Sequence, residues 1–119
     1  MSLRVGFIGA GKMATALARG IVGQGQVLSS PKHLTASCPP QDADLLQSIK
    51  DLGCETTHDN LELVSNSDLV ILAVKPMIVP KVLEQIKPVV DRSKLVASIA
   101  AGVTLKAIQE GLNPDAKVL

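Results

Sequence analysis

The stretch Val5-Gly6-Phe7-Ile8-Gly9-Ala10-Gly11-Lys12-Met13-Ala14 limits the folds open to this chain more than any other. The apolar run from Leu3 to Ile8 reads as a short buried strand, broken by Gly9-Ala10-Gly11. From Lys12 to about Gln24 the pattern is helical, with Met13, Leu17, Ile21 and Ala14, Ala18 at spacings of three and four, and Gly23 and Gly25 as its stop. G-x-G-x-x-A is a weak pattern alone; between a strand and a helix at the start of a βαβ unit it becomes specific. Gly9 permits the tight turn, Gly11 lets backbone approach a pyrophosphate, and Ala14 is small enough for the helix to pack on a sheet. The helix N-terminus adds free N–H groups and a partial positive charge. The ligand expected over Ile8, Gly9, Ala10, Gly11, Lys12 and Met13 is a dinucleotide; a mononucleotide, a flavin, or a turn that binds nothing are the alternatives.

Strand and helix signals alternate through the rest of the chain. His33–Ser37 reads as the second strand, and Pro39-Pro40 punctuates the chain after it. Asp42–Leu52 follows as a helix with Leu45, Leu46, Ile49 and Leu52 on one side and Gly53 as its stop. Cys54–Thr57 is a short third strand, and Asn60 caps a brief helix to about Val64. Asp68–Val74, apolar on both faces, belongs near the centre of a sheet. Pro76 suits the first turn of the next helix, whose Val79–Ile86 part presents Val82, Leu83 and Ile86 inward. Lys94–Ile99 is a fifth strand, Ala100-Ala101-Gly102 a loop, and Thr104 the cap of a helix to about Gly111. Lys117-Val118-Leu119 reads as the start of a sixth strand, which implies a longer natural chain and an exposed sheet surface prone to self-association. The alternation predicts an α/β fold: a Rossmann-type, doubly wound, mostly parallel sheet with helices on both faces, formed by residues 1–119 as one domain.

Composition supports that architecture and removes several function classes. Hydrophobic residues make up 46% and charged residues 19% of the 119 residues, with one Phe and no Trp or Tyr, so the core must be aliphatic. Twelve Lys and Arg against 11 Asp and Glu leave a net charge of +1, which offers no surplus for a nucleic-acid backbone. The lack of aromatic residues removes base stacking as well. No apolar run approaches the ~20 residues that cross a bilayer, so no membrane partner is expected. Cys38 and Cys54 form no CxxC and no zinc spacing with His33 or His58. Both read as reduced thiols of a cytoplasmic protein, with a mitochondrial location left open. The two histidines lack a partner at a telling spacing and read as structural or surface residues, and no metal cluster or nucleophilic triad is expected.

The end of the second strand bears on the choice of nucleotide. A carboxylate there would bond the ribose 2′-hydroxyl of NAD and repel the 2′-phosphate of NADP. The segment reads Thr35-Ala36-Ser37-Cys38-Pro39, and the first acid, Asp42, comes only after two prolines. Ser37 and the Cys38 backbone can donate hydrogen bonds, so NADP(H) is favoured over NAD(H), although no Arg stands nearby to clamp a phosphate. The other reading is that Ser37 and Cys38 cap the following turn. Two further loops fall where doubly wound folds bind ligands: Ala73-Val74-Lys75-Pro76 and Ala100-Ala101-Gly102. Lys75 lies beside phosphate, ribose or substrate, or is a solvated loop lysine. The small residues at 100–102 fit a loop pressed on the nicotinamide half, or a simple turn.

With these residues in place, the chain resembles the pyrroline-5-carboxylate reductases. Val5–Ala14 resembles their opening, Leu72-Ala73-Val74-Lys75-Pro76 their fourth-strand loop, and Ser98-Ile99-Ala100-Ala101-Gly102-Val103 their fifth-strand loop. Gly53–Asn60 is similar to the segment where the family sets an Asn, here Asn60, against the adenosine side. The resemblance covers essentially the whole chain and leans to the vertebrate cytosolic branch. It implies hydride transfer from NADPH or NADH to the C=N carbon of Δ1-pyrroline-5-carboxylate, giving L-proline. It also implies a C-terminal helical domain, absent here, that makes the homo-oligomer and supplies most of the substrate pocket. No catalytic residue is therefore assigned, and this stretch alone is expected to be inactive. Cys38 departs from the family, whose members often carry a more polar residue there. The competing expectations are a related imine or hydroxyacid reductase and a dinucleotide-sensing module without catalysis.

Overall fold

A computed structural model describes residues 3–24, 30–100 and 102–119. Its six strands are β1 (Val5–Ile8), β2 (Leu34–Ser37), β3 (Glu55–Thr57), β4 (Leu69–Leu72), β5 (Leu95–Ser98) and β6 (Lys117–Val118). They form one sheet in the order β3-β2-β1-β4-β5-β6, every pairing parallel. The chain winds outward from β1 to β3, then returns to the other side of β1 for β4, so the topological switch lies between β1 and β4. The helices are α1 (Lys12–Gln24), α2 (Leu46–Asp51), α3 (Asn60–Ser65), α4 (Val79–Ile86) and α5 (Leu105–Gly111).

The core is two aliphatic layers separated by the sheet. On one face Val5, Phe7, Leu34 and Ala36 meet Ala14 and Ala18 of α1 and Leu46 and Ile49 of α2. On the other, Ile8, Val70, Leu72 and Val96 meet Leu63 and Val64 of α3, the Val82-Leu83-Ile86 stripe of α4 and Ile108 of α5. Burial on both faces is what the unbroken apolar strands require. Asp59 caps α3, accepting from the Leu61 and Glu62 amides at 2.9 and 3.3 Å; Thr104 caps α5, accepting from Ala107 N at 3.0 Å. Gly53, at φ 87°, provides the left-handed residue that ends α2.

The elements fall where the sequence signals them, with four corrections. α1 runs through Gly23, which does not stop it, and Gly25 lies outside the described residues. Its inner face is Ala14 and Ala18; Met13 and Leu17 are exposed, because only alanines let this helix lie close on β1 and β2. The segment expected as one helix from Asp42 is a 3-10 stretch, Pro40–Leu45, followed by α2. Asp42 is non-helical (φ −108°, ψ 21°), its carbonyl accepts from the Cys38 thiol at 3.2 Å, and Leu45 is turned to solvent. The cap before α3 is Asp59 rather than Asn60; a carboxylate accepts two amides at once, which frees Asn60 for another task.

Gly6, at the middle of β1, lies directly beneath α3. A Cβ there would collide with the Ser67 hydroxyl, which donates to Leu63 O at 2.6 Å, and with the Leu63 side chain. Gly6→Val should therefore cost ~1–3 kcal/mol of stability through overpacking. An unshifted urea midpoint would show that α3 does not sit this close to β1.

Candidate functional site

The carboxyl ends of β1, β2 and β4 converge at the switch, the place where doubly wound sheets bind ligands. Gly9, at φ 112°, adopts a backbone that side chains rarely allow. Its amide donates to Ser37 O at 2.8 Å, while Ala73 N donates to Ile8 O at 2.8 Å, so the turn after β1 is bonded to both neighbouring strands. A Cβ on Gly9 would stand 2.6 Å from Ala73 O. Gly11 differs: a Cβ there would meet nothing within 4 Å. Its carbonyl accepts the first helical bond, from Thr15 N at 2.9 Å, so Gly11 opens α1 with a bare edge toward free space. No acidic residue stands in the first turn of α1 to oppose an anion. That cradle, which a side chain would fill, fits a pyrophosphate.

Two clefts flank the turn. The first, of ≈ 280 Å³, takes Ile8, Gly9, Ser37, Cys38, Asn60 and Val74 from the expected residues. It adds Pro39, Pro40, His58, Ile78, Val82 and Gln85. A polar relay crosses it: the buried Ser37 hydroxyl donates to Asn60 Oδ1, and Asn60 Nδ2 donates to Gln85 Oε1 at 2.9 Å. Ser37 thus spends its donor on Asn60, a different use from the direct donation to a nucleotide expected of it. His58 Nδ1 lies 2.7 Å from Cys38 O and fixes the loop after β2. His58 is structural, as expected, but it also lines the cleft. The second cleft, of ≈ 360 Å³, runs from Ala10, Gly11 and Lys12 along α1 to Arg19, opposite Asp44 and Ser48.

The remaining expected residues stand apart from both clefts. Met13, Lys75 and Pro76 are exposed, with Pro76 opening a 3-10 turn as its ring favours. Ala73 is the backbone against which Gly9 closes. Ala100, bonded through its amide to Ser98 Oγ at 3.0 Å, and Gly102, at φ 79°, shape the loop after β5; Ala101 lies outside the described residues. His58, Gln85 and Arg19 escape a reading of the sequence because each comes from a different element and none stands in a local motif. The one available signal is the spacing of Gln85 three residues after Val82, which sets it next to the inner stripe of α4.

Both cysteines are free and buried, and no group of His, Cys, Asp or Glu among the described residues could hold a metal. Burial pushes both thiols up, reinforced by Asp42 beside Cys38 and by Glu55 beside Cys54. The unfolded chain therefore releases these protons first, and their contribution to stability is full below the ordinary thiol pKa. It is lost as pH rises through the higher folded values. A Cys38→Ala, Cys54→Ala double variant should show a shallower loss of stability on the alkaline side in urea titrations at stepped pH. An equal slope would mean that the thiols do not drive it.

The chain matches, over residues 4–102, the family described as NADP oxidoreductase coenzyme F420-dependent. It is 44% identical over 116 residues to pyrroline-5-carboxylate reductase 3 of Rattus norvegicus, covering 98% of this chain and 41% of that protein. The same enzyme of Xenopus laevis is 43% identical over 119 residues, covering 100% of this chain and 42% of that one. The chain thus spans about two fifths of the length of these relatives. Among solved structures, a pyrroline-5-carboxylate reductase from Coxiella burnetii superposes with a TM-score of 0.89 at 30% identity, over 99% of this chain and 43% of that one. The Plasmodium falciparum pyrroline carboxylate reductase, solved with NADP bound, gives 0.79 at 28% identity, over 98% and 40%. No helix among the described residues is long and apolar enough to cross a membrane. The chain belongs to the family described as NADP oxidoreductase coenzyme F420-dependent.

Proposed function

We propose that this chain is the cofactor-binding part of an NAD(P)H-dependent reductase that converts Δ1-pyrroline-5-carboxylate to L-proline in the cytoplasm. The observation that carries this reading is the pair of glycines at the switch point: Gly9 closed onto Ala73, Gly11 open to space. When bound, the reduced nicotinamide supplies a hydride to the imine carbon. The residues of this chain would do the holding. The N–H groups at the start of α1 would take the pyrophosphate. The cleft of Val74, Ile78 and Val82, with Asn60 fixed by Ser37 and Gln85, would take the adenosine. The loops at Lys75-Pro76 and at Ala100–Gly102 would border the nicotinamide half. Relatives of the chain are some two and a half times longer, and we assign binding of the imine and its carboxylate, together with homo-oligomer formation, to a helical domain outside the matched length. NADP(H) is the favoured cofactor because no carboxylate ends β2.

The glycine pair offers a test with an internal control. Gly11→Val adds its side chain in open space, so the melting curve should change by less than about 1 kcal/mol while binding of both dinucleotides is lost. Gly9→Ala collides with backbone at Ala73 and should lose ~1–3 kcal/mol of stability as well as binding. Titration calorimetry and thermal melts on the two variants read both quantities. Unchanged affinity in Gly11→Val would remove the pyrophosphate from this turn. The chain as it stands should reduce the imine negligibly with NADPH, measured at 340 nm as the absorbance of the reduced cofactor. Full turnover would place the substrate site within residues 1–119.

A further inference from the structure

We infer that Lys12 and Arg19, on one face of α1, hold the 2′-phosphate that distinguishes NADPH from NADH. The inference rests on the cofactor reading above and deepens it. A Rossmann domain that selects NADP needs cations near the end of β2. Here that end holds Ser37, Cys38, Pro39 and Pro40, with no Lys or Arg. Ser37 is 1% exposed, and its hydroxyl is already committed to Asn60. The strand therefore ends without an acid that would repel a phosphate and without a side-chain donor free to hold one.

The missing charge is supplied from the opposite wall. The groove that begins at the Ala10-Gly11 edge is walled by Lys12, Thr15 and Arg19 of α1, and by Asp44 and Ser48 beyond the β2 loop. Residues seven apart on a helix fall within about 20° of the same face and stand about 10 Å apart along its axis. Side chains of a helix lean toward its N-terminus, so Arg19 reaches back toward the level of Thr15 and Lys12. The small residues Ala10, Gly11 and Ala16 keep the floor of the groove low between them. Among the described residues neither cation is paired elsewhere: the ion pairs there are Arg92–Asp115 and Lys106–Glu110. Two cations face one carboxylate, Asp44, and the groove is left with one net positive charge. A 2′-phosphate brings about −1.5 to −2 at neutral pH, and NADH brings no charge to that position. A ribose seated at the end of β2 would project its 2′ substituent into this groove, on the far side of the Gly9–Gly11 turn from the relay at Ser37.

The assignment is tested by calorimetric titration of the chain and its variants with NADPH, NADH, adenosine 2′,5′-bisphosphate and 5′-AMP. Lys12→Ala should weaken NADPH by about tenfold, the loss of one charge-assisted contact, and NADH by less than about twofold. Lys12→Arg should restore most of the difference. Arg19→Ala should act in the same direction with about threefold effect, being the more distant cation. Asp44→Asn should tighten NADPH several-fold and leave NADH unchanged, because it removes the one opposing charge. The bisphosphate should follow NADPH in every variant, and 5′-AMP should follow NADH. Equal losses for both dinucleotides in Lys12→Ala and Arg19→Ala would overturn the assignment while leaving the cofactor reading intact. Failure of the unaltered chain to bind either dinucleotide would overturn both.

Discussion

The closure of the β1 turn onto β4 is the constraint on which the rest of the structure depends. Ile8 O accepts from Ala73 N, Gly9 N donates to Ser37 O, and Gly9 lies against the Ala73 carbonyl with no room for a side chain. Three strands are thereby locked at one level on their carboxyl ends. A wider turn would push β4 outward, open the switch point, and leave the first amides of α1 aimed away from the crevice. Gly6 sets the same requirement one layer below, where the side chains of Leu63 and Ser67 rest directly on the bare backbone of β1. The central strand is thus narrow by necessity, and its glycines answer to different demands: Gly6 and Gly9 to packing, Gly11 to vacancy.

From that closure two clefts of opposite character follow. The one toward α3 and α4 is walled by apolar side chains and crossed by an amide-and-hydroxyl relay, Ser37 to Asn60 to Gln85. Each member of the relay comes from a different element, so it also pins β2, α3 and α4 to one another. The one along α1 is ionic, with Lys12 and Arg19 facing Asp44. The turn at Gly9–Gly11 stands between them, so a ligand spanning the switch would present a different part of itself to each.

Much of this architecture is legible in the sequence because it rests on local rules. The parallel sheet follows from strand-helix alternation and from Asp68–Val74 being apolar on both faces. The caps at Gly53 and Thr104 follow from residue chemistry. The misreadings arise where tertiary contacts compete with a local rule. Asn60 is a good cap by type, but Asp59 takes that post and Asn60 turns to Ser37. Asp42 looks like the start of a helix, yet its carbonyl is claimed by the Cys38 thiol. Met13 and Leu17 have the right period for a core face, but close contact with the sheet admits only Ala14 and Ala18. The glycine motif locates the turn correctly. The side chains that complete its surroundings, His58, Gln85 and Arg19, converge only through the fold.

The aliphatic composition bears on how such a site can discriminate between nucleotides. The one Phe lies fully buried in the core, and the sequence has no Trp or Tyr to stack on a base. His58 is the single aromatic ring lining the cleft toward α3 and α4, and its Nδ1 is held by Cys38 O. Apolar walls of valine, isoleucine and proline grip a base by area alone, which favours no particular phosphate pattern. Backbone amides at the start of α1 would meet a pyrophosphate that NAD and NADP share. Neither of these interactions can separate the two cofactors. Discrimination must then come from fixed charge beside the ribose, and around this turn the charges stand on α1 and at Asp44, not on the strand where such folds usually carry them.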